Sequence, residues 1–532
     1  QGSEGRGCRR HREAQTDLSG GVMMAGQVNR LGIVGTGVMG AGIAQIAAQS
    51  GLEVALFDKR AGAASAARDG LQATFDKLVS KGKLSRESAE EALAHLSVVD
   101  SMTALADCDL VIEAIVEDLD IKKALFAELE AIVARDCILA TNTSSLSVTA
   151  IAADLACPER LAGFHFFNPV PLMKVIEVIG GIDTDETVID TLLNLAGRLG
   201  HTGVRAQDTP GFIVNHAGRA YSTEGLKILE ERVAPPEDID RILREQAGFR
   251  MGPLELFDLT GLDVSHPAME SIFEQFYHDP RYRPSSISRQ MLKGKRLGRK
   301  TGVGFYRYEA GRKIEALTPQ PVPCVSELPP VWVGCEDADL RADVATLLES
   351  LGGRVEPTDS PSEQALCLLL PFGDDAVCAS QHFGVDPERT LCLDVLLGLE
   401  RHRTLMMTPV TRPEMRDAAH ALLASDGSGV TVIRDSAGFV SQRVLASVIN
   451  LACEIAQREI ATPVDIDNAV RLGLNYPHGP LAWGDALGSK RVLCILERIY
   501  ALTGDPRYRP SLWLRRRATL GVSLLHVAPS GR

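Results

Sequence analysis

Apolar runs alternate with amphipathic helical stretches from residue 29 to about residue 207. Strand-like runs fall at 31–34, 54–57, 110–114, 138–141, 161–167 and 175–179, and helical patterns of mixed charge, such as 121–135, lie between them. Such alternation predicts a mostly parallel, doubly wound α/β sheet. The pattern changes at Asp208-Thr-Pro-Gly-Phe212, where Thr209 is placed to cap a helix opening at Pro210. From there to about Tyr308 the periodicity is helical only, which predicts a second, all-α domain.

The helical pattern then recurs. Asp208-Thr-Pro-Gly-Phe reappears as Asp435-Ser-Ala-Gly-Phe, Asp238-Ile-Asp240 as Asp465-Ile-Asp467, and Gly252-Pro-Leu254 as Gly479-Pro-Leu481, all at a spacing of 227 residues. Asp279-Pro-Arg-Tyr-Arg-Pro-Ser and Asp505-Pro-Arg-Tyr-Arg-Pro-Ser match at 226. The helical domain therefore occurs twice. Between the copies, a Pro-rich linker at 318–323 precedes short strand candidates at 331–333 and 366–370, with no glycine-triplet turn after either. A reduced α/β layer without a nucleotide site is expected there. The expected divisions are a leader without structure at 1–28, the α/β domain at 29–207, helical copy 1 at 208–308, the linker layer at 309–427 and helical copy 2 at 428–532.

Composition narrows the class. With 45% hydrophobic and 23% charged residues, the 532-residue chain has ordinary globular composition and is too long for one core. A net charge of −13 argues against nucleic acid or an anionic membrane surface as partner. No apolar run approaches the roughly 20 residues of a membrane helix. The 11 cysteines show no Cys-x-x-Cys pair or His/Cys cluster of ligand spacing, so no metal site is expected and the thiols read as reduced, in a cytoplasmic protein. Arg6, Arg9, Arg10 and Arg12 lie in a leader without an apolar core, unlike a secretory signal. Met23-Met24 suggests that 1–22 are non-native or upstream-translated, and Glu4, Glu13 and Asp17 weaken a transit-peptide reading.

The first strand runs into Gly35-Thr-Gly-Val-Met-Gly40, followed by the helix-like Ile43-Ala-Gln-Ile-Ala-Ala-Gln and, after the next strand, Asp58. Gly35 permits a tight turn, Gly37 lets backbone approach a pyrophosphate, and Gly40 lets the helix pack on the strand. Thr36, Val38 and Met39 fill the rest of that cradle. An acid at 58 accepts hydrogen bonds from a ribose and repels a 2′-phosphate, which favours NAD as cofactor; Lys59 and Arg60 soften the preference. Glu177 supplies the candidate chemistry. In Val175-Ile-Glu-Val-Ile179 it shares a face with Val175 and Ile179, where a carboxylate needs a positive or donating partner. His165, in Phe164-His-Phe-Phe-Asn-Pro-Val-Pro171, is the nearest candidate. A carboxylate beside an imidazole favours its protonated form and fixes its tautomer, which makes a general base for an alcohol.

Asn142-Thr-Ser-Ser-Leu146, His-Phe-Phe-Asn-Pro-Val-Pro, Lys174-Val-Ile-Glu177, Asp208-Thr-Pro-Gly-Phe-Ile-Val-Asn215 and Gly298-Arg-Lys-Thr-Gly-Val-Gly-Phe-Tyr306 closely resemble the L-3-hydroxyacyl-CoA dehydrogenase family. The duplication, with Val214-Asn-His-Ala-Gly-Arg-Ala-Tyr-Ser-Thr-Glu224, most resembles its two-repeat phenylacetate-catabolic branch, which oxidises 3-hydroxyadipyl-CoA. General fatty-acid and 3-hydroxybutyryl-CoA dehydrogenases are the alternative. The resemblance implies NAD-dependent oxidation of a (3S)-3-hydroxyacyl-CoA, with His165 as base, Glu177 as its support, Ser144 near the 3-oxygen and nicotinamide, and Asn215 holding the reacting groups. It further implies cofactor contacts at Glu117, Lys122, Asn142, Asn168 and Lys300, and coenzyme A contacts at Thr74, Lys81 and Ser144. His216 stands where Arg is common, at the expected substrate end. Single-copy relatives pair through the helical domain, so the resemblance implies an internal pseudo-dimer of the two copies, with a homodimer as a further expectation.

Overall fold

The computed structural model describes residues 27–314 and 318–527, so the expectation of an unstructured leader lies almost wholly outside the described residues. Strands β1 (Arg30–Val34), β2 (Glu53–Phe57), β3 (Leu96–Val98), β4 (Leu110–Glu113), β5 (Ile138–Thr141), β6 (Leu161–Phe166), β7 (Val175–Gly180) and β8 (Thr202–Gln207) form one sheet in the order β3-β2-β1-β4-β5-β6-β7-β8. Every neighbouring pair is parallel except β6–β7. All six anticipated strands are present. The other two escaped the pattern for physical reasons: β3 spans three residues, and β8 buries only Val204 and Ala206 along an exposed edge. Helices α1 (Val38–Gln49), α2 (Ala63–Ser80), α3 (Arg86–Ala94), α4 (Leu119–Ile132), α5 (Val148–Ala152) and α6 (Glu186–Arg198) cover the sheet.

Helical copy 1 holds α7 (Val214–Ala217), α8 (Arg219–Glu230), α9 (Pro236–Glu245), α10 (Pro253–Thr260), α11 (Leu262–Gln275) and α12 (Ser286–Lys293), followed by a hairpin of β9 (Tyr308–Glu309) and β10 (Arg312–Lys313). The cap expected at Thr209 does not form. Gly211 and Phe212 have φ of 74° and 47°, so the chain turns left-handed and helix begins only at Val214. Thr209 leaves its hydroxyl buried without a partner, while Asp208 accepts from Ser147 Oγ and from the amides of Val148 and Thr149.

The linker layer is more than a reduced one. Strands β11 (Val331–Gly334), β12 (Leu366–Leu369), β13 (Thr390–Leu393), β14 (His402–Met407) and β15 (Gly429–Ile433) run in that order, parallel except for β13–β14, as β4 to β8 do. Helices α13 (Ala338–Ser350), α14 (Ala376–Phe383) and α15 (Pro413–Leu423) recur between them. Strand β14 lies 227 residues after β7, and Asp435 accepts from the Ala376 amide as Asp208 does from Val148. The duplication therefore reaches back through half of the sheet and omits the β1–β2 half with the glycine turn.

Helical copy 2 holds α16 (Val440–Gln457), α17 (Pro463–Gly473), α18 (Pro480–Leu487), α19 (Ser489–Thr503) and α20 (Leu512–Leu520). Repeated motifs make repeated contacts. Asp240 accepts from the Leu254 and Glu255 amides at 3.0 and 2.9 Å, and Asp467 from those of Leu481 and Ala482 at 2.8 and 2.9 Å. A Cβ at Gly252 or Gly479 would strike those aspartates. Helix α16 is buried on nearly all faces, as a central core helix should be, and packs against α8.

That interface is charged and unequal. Arg443 of α16 pairs with Glu224 at 2.8 Å and Glu231 at 2.6 Å, and donates to Tyr508 Oη at 2.9 Å. At the matching place in copy 1 stands His216, bonded to Tyr282 Oη at 2.6 Å. His216 is thus buried against Tyr282 and Phe276 of its own repeat, away from the substrate end where it was expected. Burial, with Arg458 nearby, depresses the His216 imidazole to about 3, so it is neutral. Arg443→Met should lower stability by about 3–5 kcal/mol, because the buried Glu224 would lose its nearest cation and keep only Arg507, 3.5 Å away, to balance its charge. Denaturant unfolding measures this, and an unchanged midpoint would refute the role given to Arg443.

Candidate active site

The glycine turn sits at the C-terminal end of β1, where doubly wound sheets place ligands. Gly35 has φ of 96°, a Cβ on Gly40 would lie 1.9 Å from the Gly35 carbonyl oxygen, and a Cβ on Gly37 would meet no atom within 4 Å. The first two are demanded by the turn itself. Gly37 instead caps α1 beside open space, which suits a pyrophosphate approaching the helix N-terminus. Thr36 is buried, Met39 partly so, and Val38 is 75% exposed. A cleft of about 890 Å³ opens here between Asp58, Arg60, Met102, Val116 and Ile121.

Asp58 accepts from the Thr36 amide at 2.9 Å and hydroxyl at 3.0 Å, and from the Arg60 amide and guanidinium at 2.9 and 3.2 Å. Burial alone would raise this carboxyl; the Arg60 and Thr36 hydrogen bonds outweigh it and hold the group well below the usual carboxylate range. An ionised acid is thus fixed at the cleft wall. Arg60 is largely exposed and neutralises part of that charge.

At the end of β5, Glu117 organises the Asn-Thr-Ser-Ser turn. Its Oε1 accepts from Thr143 Oγ1 (2.8 Å), the Ser144 amide (2.8 Å) and hydroxyl (3.2 Å), and the Ser145 amide and hydroxyl (3.1 and 3.0 Å). Asn142 Oδ1 accepts from the Phe166 amide, which leaves its NH₂ free. Lys122, expected to contact the cofactor, is fully buried, 2.5 Å from Glu113 and 3.4 Å from Glu117, so it meets this side of the cleft through Glu117. Sequence reading missed Glu113, which also accepts from Thr141 Oγ1 and the Ile115 amide. An acid ending an apolar strand was the available signal.

The anticipated dyad forms. His165 and Glu177 face each other across the antiparallel β6–β7 pair, with His165 Nδ1 2.7 Å from Glu177 Oε2. A carboxylate only accepts, so Nδ1 carries the proton and the Nε2 lone pair is available as a base. Glu177 Oε1 accepts from the Ile213 and Val214 amides at 2.9 and 2.8 Å. The fully buried acid thus also caps the helix that bears Asn215, whose amide reaches the Ser144 carbonyl at 3.5 Å. His165, Glu177, Ser144 and Asn215 converge.

The remaining expected contacts lie apart from this centre. Thr74 and the exposed Lys81 lie on and just after α2, two turns apart on one face, with Thr74 Oγ1 donating to Gly70 O. Asn168 is exposed just beyond β6. Lys300 is ion-paired with Asp263 at 2.7 Å in the helical domain, and no hydrogen bond links it to the glycine turn. Among the described residues no His/Cys/Asp/Glu group is arranged to hold a metal, and no helix is long and apolar enough to cross a membrane.

A dinucleotide cleft beside a carboxylate-supported imidazole defines a dehydrogenase acting on an alcohol. Residues 30–209 match the family described as 3-hydroxyacyl-CoA dehydrogenase, NAD binding domain, and residues 211–308 and 438–523 match its C-terminal domain. A 3-hydroxyadipyl-CoA dehydrogenase of Escherichia coli (strain K12) is 40% identical over 497 residues, 93% of this chain and 98% of that protein. A 3-hydroxybutyryl-CoA dehydrogenase of Clostridioides difficile is 40% identical over 279 residues, 52% of this chain and 99% of its own. A solved structure, 3-hydroxybutyryl-CoA dehydrogenase from Escherichia coli K12, superposes with a TM-score of 0.83 at 39% identity, covering 93% of this chain and 98% of that one. The chain belongs to the 3-hydroxyacyl-CoA dehydrogenase family. It is an NAD-dependent enzyme of that family.

Asp58→Ala should weaken NAD binding and narrow the gap to NADP, since the carboxylate both receives the ribose hydroxyls and repels a 2′-phosphate. Titration with both dinucleotides tests it; a wild type that prefers NADP would overturn this reading and move attention to Lys59 and Arg60.

Proposed function

We propose that the enzyme oxidises the 3-hydroxyl of 3-hydroxyadipyl-CoA, with His165 Nε2 taking the hydroxyl proton. The observation that carries the catalytic reading is the Glu177 carboxylate, held at once by His165 and by the helix that bears Asn215. NAD, when bound, accepts the hydride. As His165 becomes an imidazolium, Glu177 stabilises it, and the effect is greatest in the transition state. Ser144 and Asn215 orient the 3-oxygen. Asn142, Asn168 and Lys300 serve the cofactor, and Thr74 and Lys81 serve coenzyme A. The adipyl chain is favoured by similarity to a two-repeat relative of that name along nearly the whole chain. The butyryl reading rests on the name of a structure of equal coverage. Initial rates over 3-hydroxyacyl-CoA thioesters decide between them: adipyl turnover at least matching butyryl is expected, and the reverse overturns the choice.

The same reading makes residues 428–532 a structural copy, acting as an internal pseudo-dimer in a cytoplasmic enzyme. Among its supports is the fate of the copied site. Gln442, at the place of Asn215, and Thr404, at that of Glu177, are fully buried, and Asp394 binds Ser441 and Gln442 where His165 would stand. Removing residues 428–532 should expose the α8 face and give a dimer or aggregate by sedimentation; a well-behaved monomer would contradict it.

His165→Gln should lower kcat by about 10²–10⁴-fold and leave NAD affinity near normal. Glu177→Gln should follow it, because an uncharged partner no longer favours the imidazolium. Steady-state kinetics with a dinucleotide titration check both, and wild-type turnover in either variant would remove that residue from the mechanism.

A further inference from the structure

Arg219 opens α8 one helical turn past Asn215. Gly218 between them has φ −66° and ψ −14°, so the backbone stays helical and the two side chains share a face. Asn215 turns its amide toward Ser144, and Arg219 folds back along the same face, its Nε donating to the Asn215 carbonyl at 3.0 Å. The rest of the guanidinium has no acceptor among the described residues, and no carboxylate pairs with it.

The fully buried Arg160, Arg241, Arg281, Arg403, Arg443 and Arg507 each have a carboxylate partner, whereas Arg219 joins Arg68, Arg491 and Arg517 among the partly buried arginines without one. Arg219 is half-buried, and burial pulls it down from the ordinary guanidinium range with only Tyr476 acting against this. Tyr476 and Leu474 belong to the turn between α17 and α18, and Leu474 packs over Gly218. The second repeat thus roofs this end of the catalytic helix. At the matching place in α16 stands Ala446, so the feature occurs only in the copy that retains the catalytic set.

A guanidinium held one turn from the reaction centre without a counter-ion is an anion site awaiting its ligand. We propose that Arg219 receives the terminal carboxylate of the acyl chain and makes the enzyme selective for CoA thioesters of dicarboxylic acids. This rests on the reading of the cleft as the site that oxidises 3-hydroxyadipyl-CoA. The reach agrees: three carbon–carbon bonds beyond the reacting carbon extend roughly 4 Å, and one turn separates Arg219 from Asn215 by about 5–6 Å. The planar fork can take both carboxylate oxygens.

The test compares 3-hydroxyadipyl-CoA with 3-hydroxyhexanoyl-CoA, equal in length but ending in a methyl group, on wild type, Arg219→Leu and Arg219→Lys. Wild type should favour the adipyl thioester. Arg219→Leu should lower its kcat/KM by about 10- to 100-fold, chiefly through KM, while hexanoyl turnover holds or rises, and Arg219→Lys should fall between. Unchanged NAD affinity and thermal midpoint would show that the variants are folded. Equal losses on both substrates would make Arg219 merely structural and overturn the proposal. A wild type that prefers hexanoyl would sink the dicarboxylate reading itself, whereas a preference that survives Arg219→Leu would leave that reading standing and remove Arg219 from it.

Discussion

Three hydrogen bonds to one buried carboxylate hold the working part of this enzyme together. Glu177 lies on the sheet, His165 on the neighbouring antiparallel strand, and the Ile213 and Val214 amides at the start of the helical domain. A buried carboxylate costs several kcal/mol unless it is met by donors, and here the donors come from two domains. The group that sets the imidazole tautomer also fixes where the helix bearing Asn215 begins. A shift of the helical domain against the sheet would strip Glu177 of two donors, so the geometry proposed for catalysis and the domain register are one constraint.

Glu117 does related work on the cofactor side. One oxygen, Oε1, gathers the 143–145 turn, and Lys122, sealed between Glu113 and Glu117, holds the carboxylate by its other oxygen, Oε2. Glu113 ends β4, and Glu117 lies in the loop that leads from it into α4. The second copy shows what remains when such constraints lapse. Asp240 and Asp467 still clamp the same turn, and Asp208 and Asp435 the same helix start. At the position of Glu177, Thr404 now bonds Gln246 of the first copy, closing off what would have been a cleft.

Much of this was legible in the sequence because it rests on local pattern. The glycine turn, six central strands, the helical duplication and the Glu177–His165 pairing all follow from periodicity, spacing or a carboxylate on an apolar face. What escaped depends on long-range geometry. The cap at Thr209 failed because Gly211 and Phe212 turn left-handed before the helix starts, and the actual cap, Glu177, lies more than thirty residues away. Lys122 resembles a solvated helix lysine until the fold encloses it. The repeated half-sheet was hidden because strands keep burial without keeping identity: β13 and β14 preserve the antiparallel step of β6 and β7, but not the His–Glu pair.

The α8–α16 interface lies within a single chain, and this changes how the catalytic helix responds to dilution. An interface between separate subunits is governed by mass action, so its occupancy falls as the protein becomes scarce. Here the partner surface is tethered, at an effective concentration that expression level does not alter. Gly473 of α17 packs directly on Val214 and Val175, next to Glu177. The support behind the active site is therefore supplied from within the same molecule.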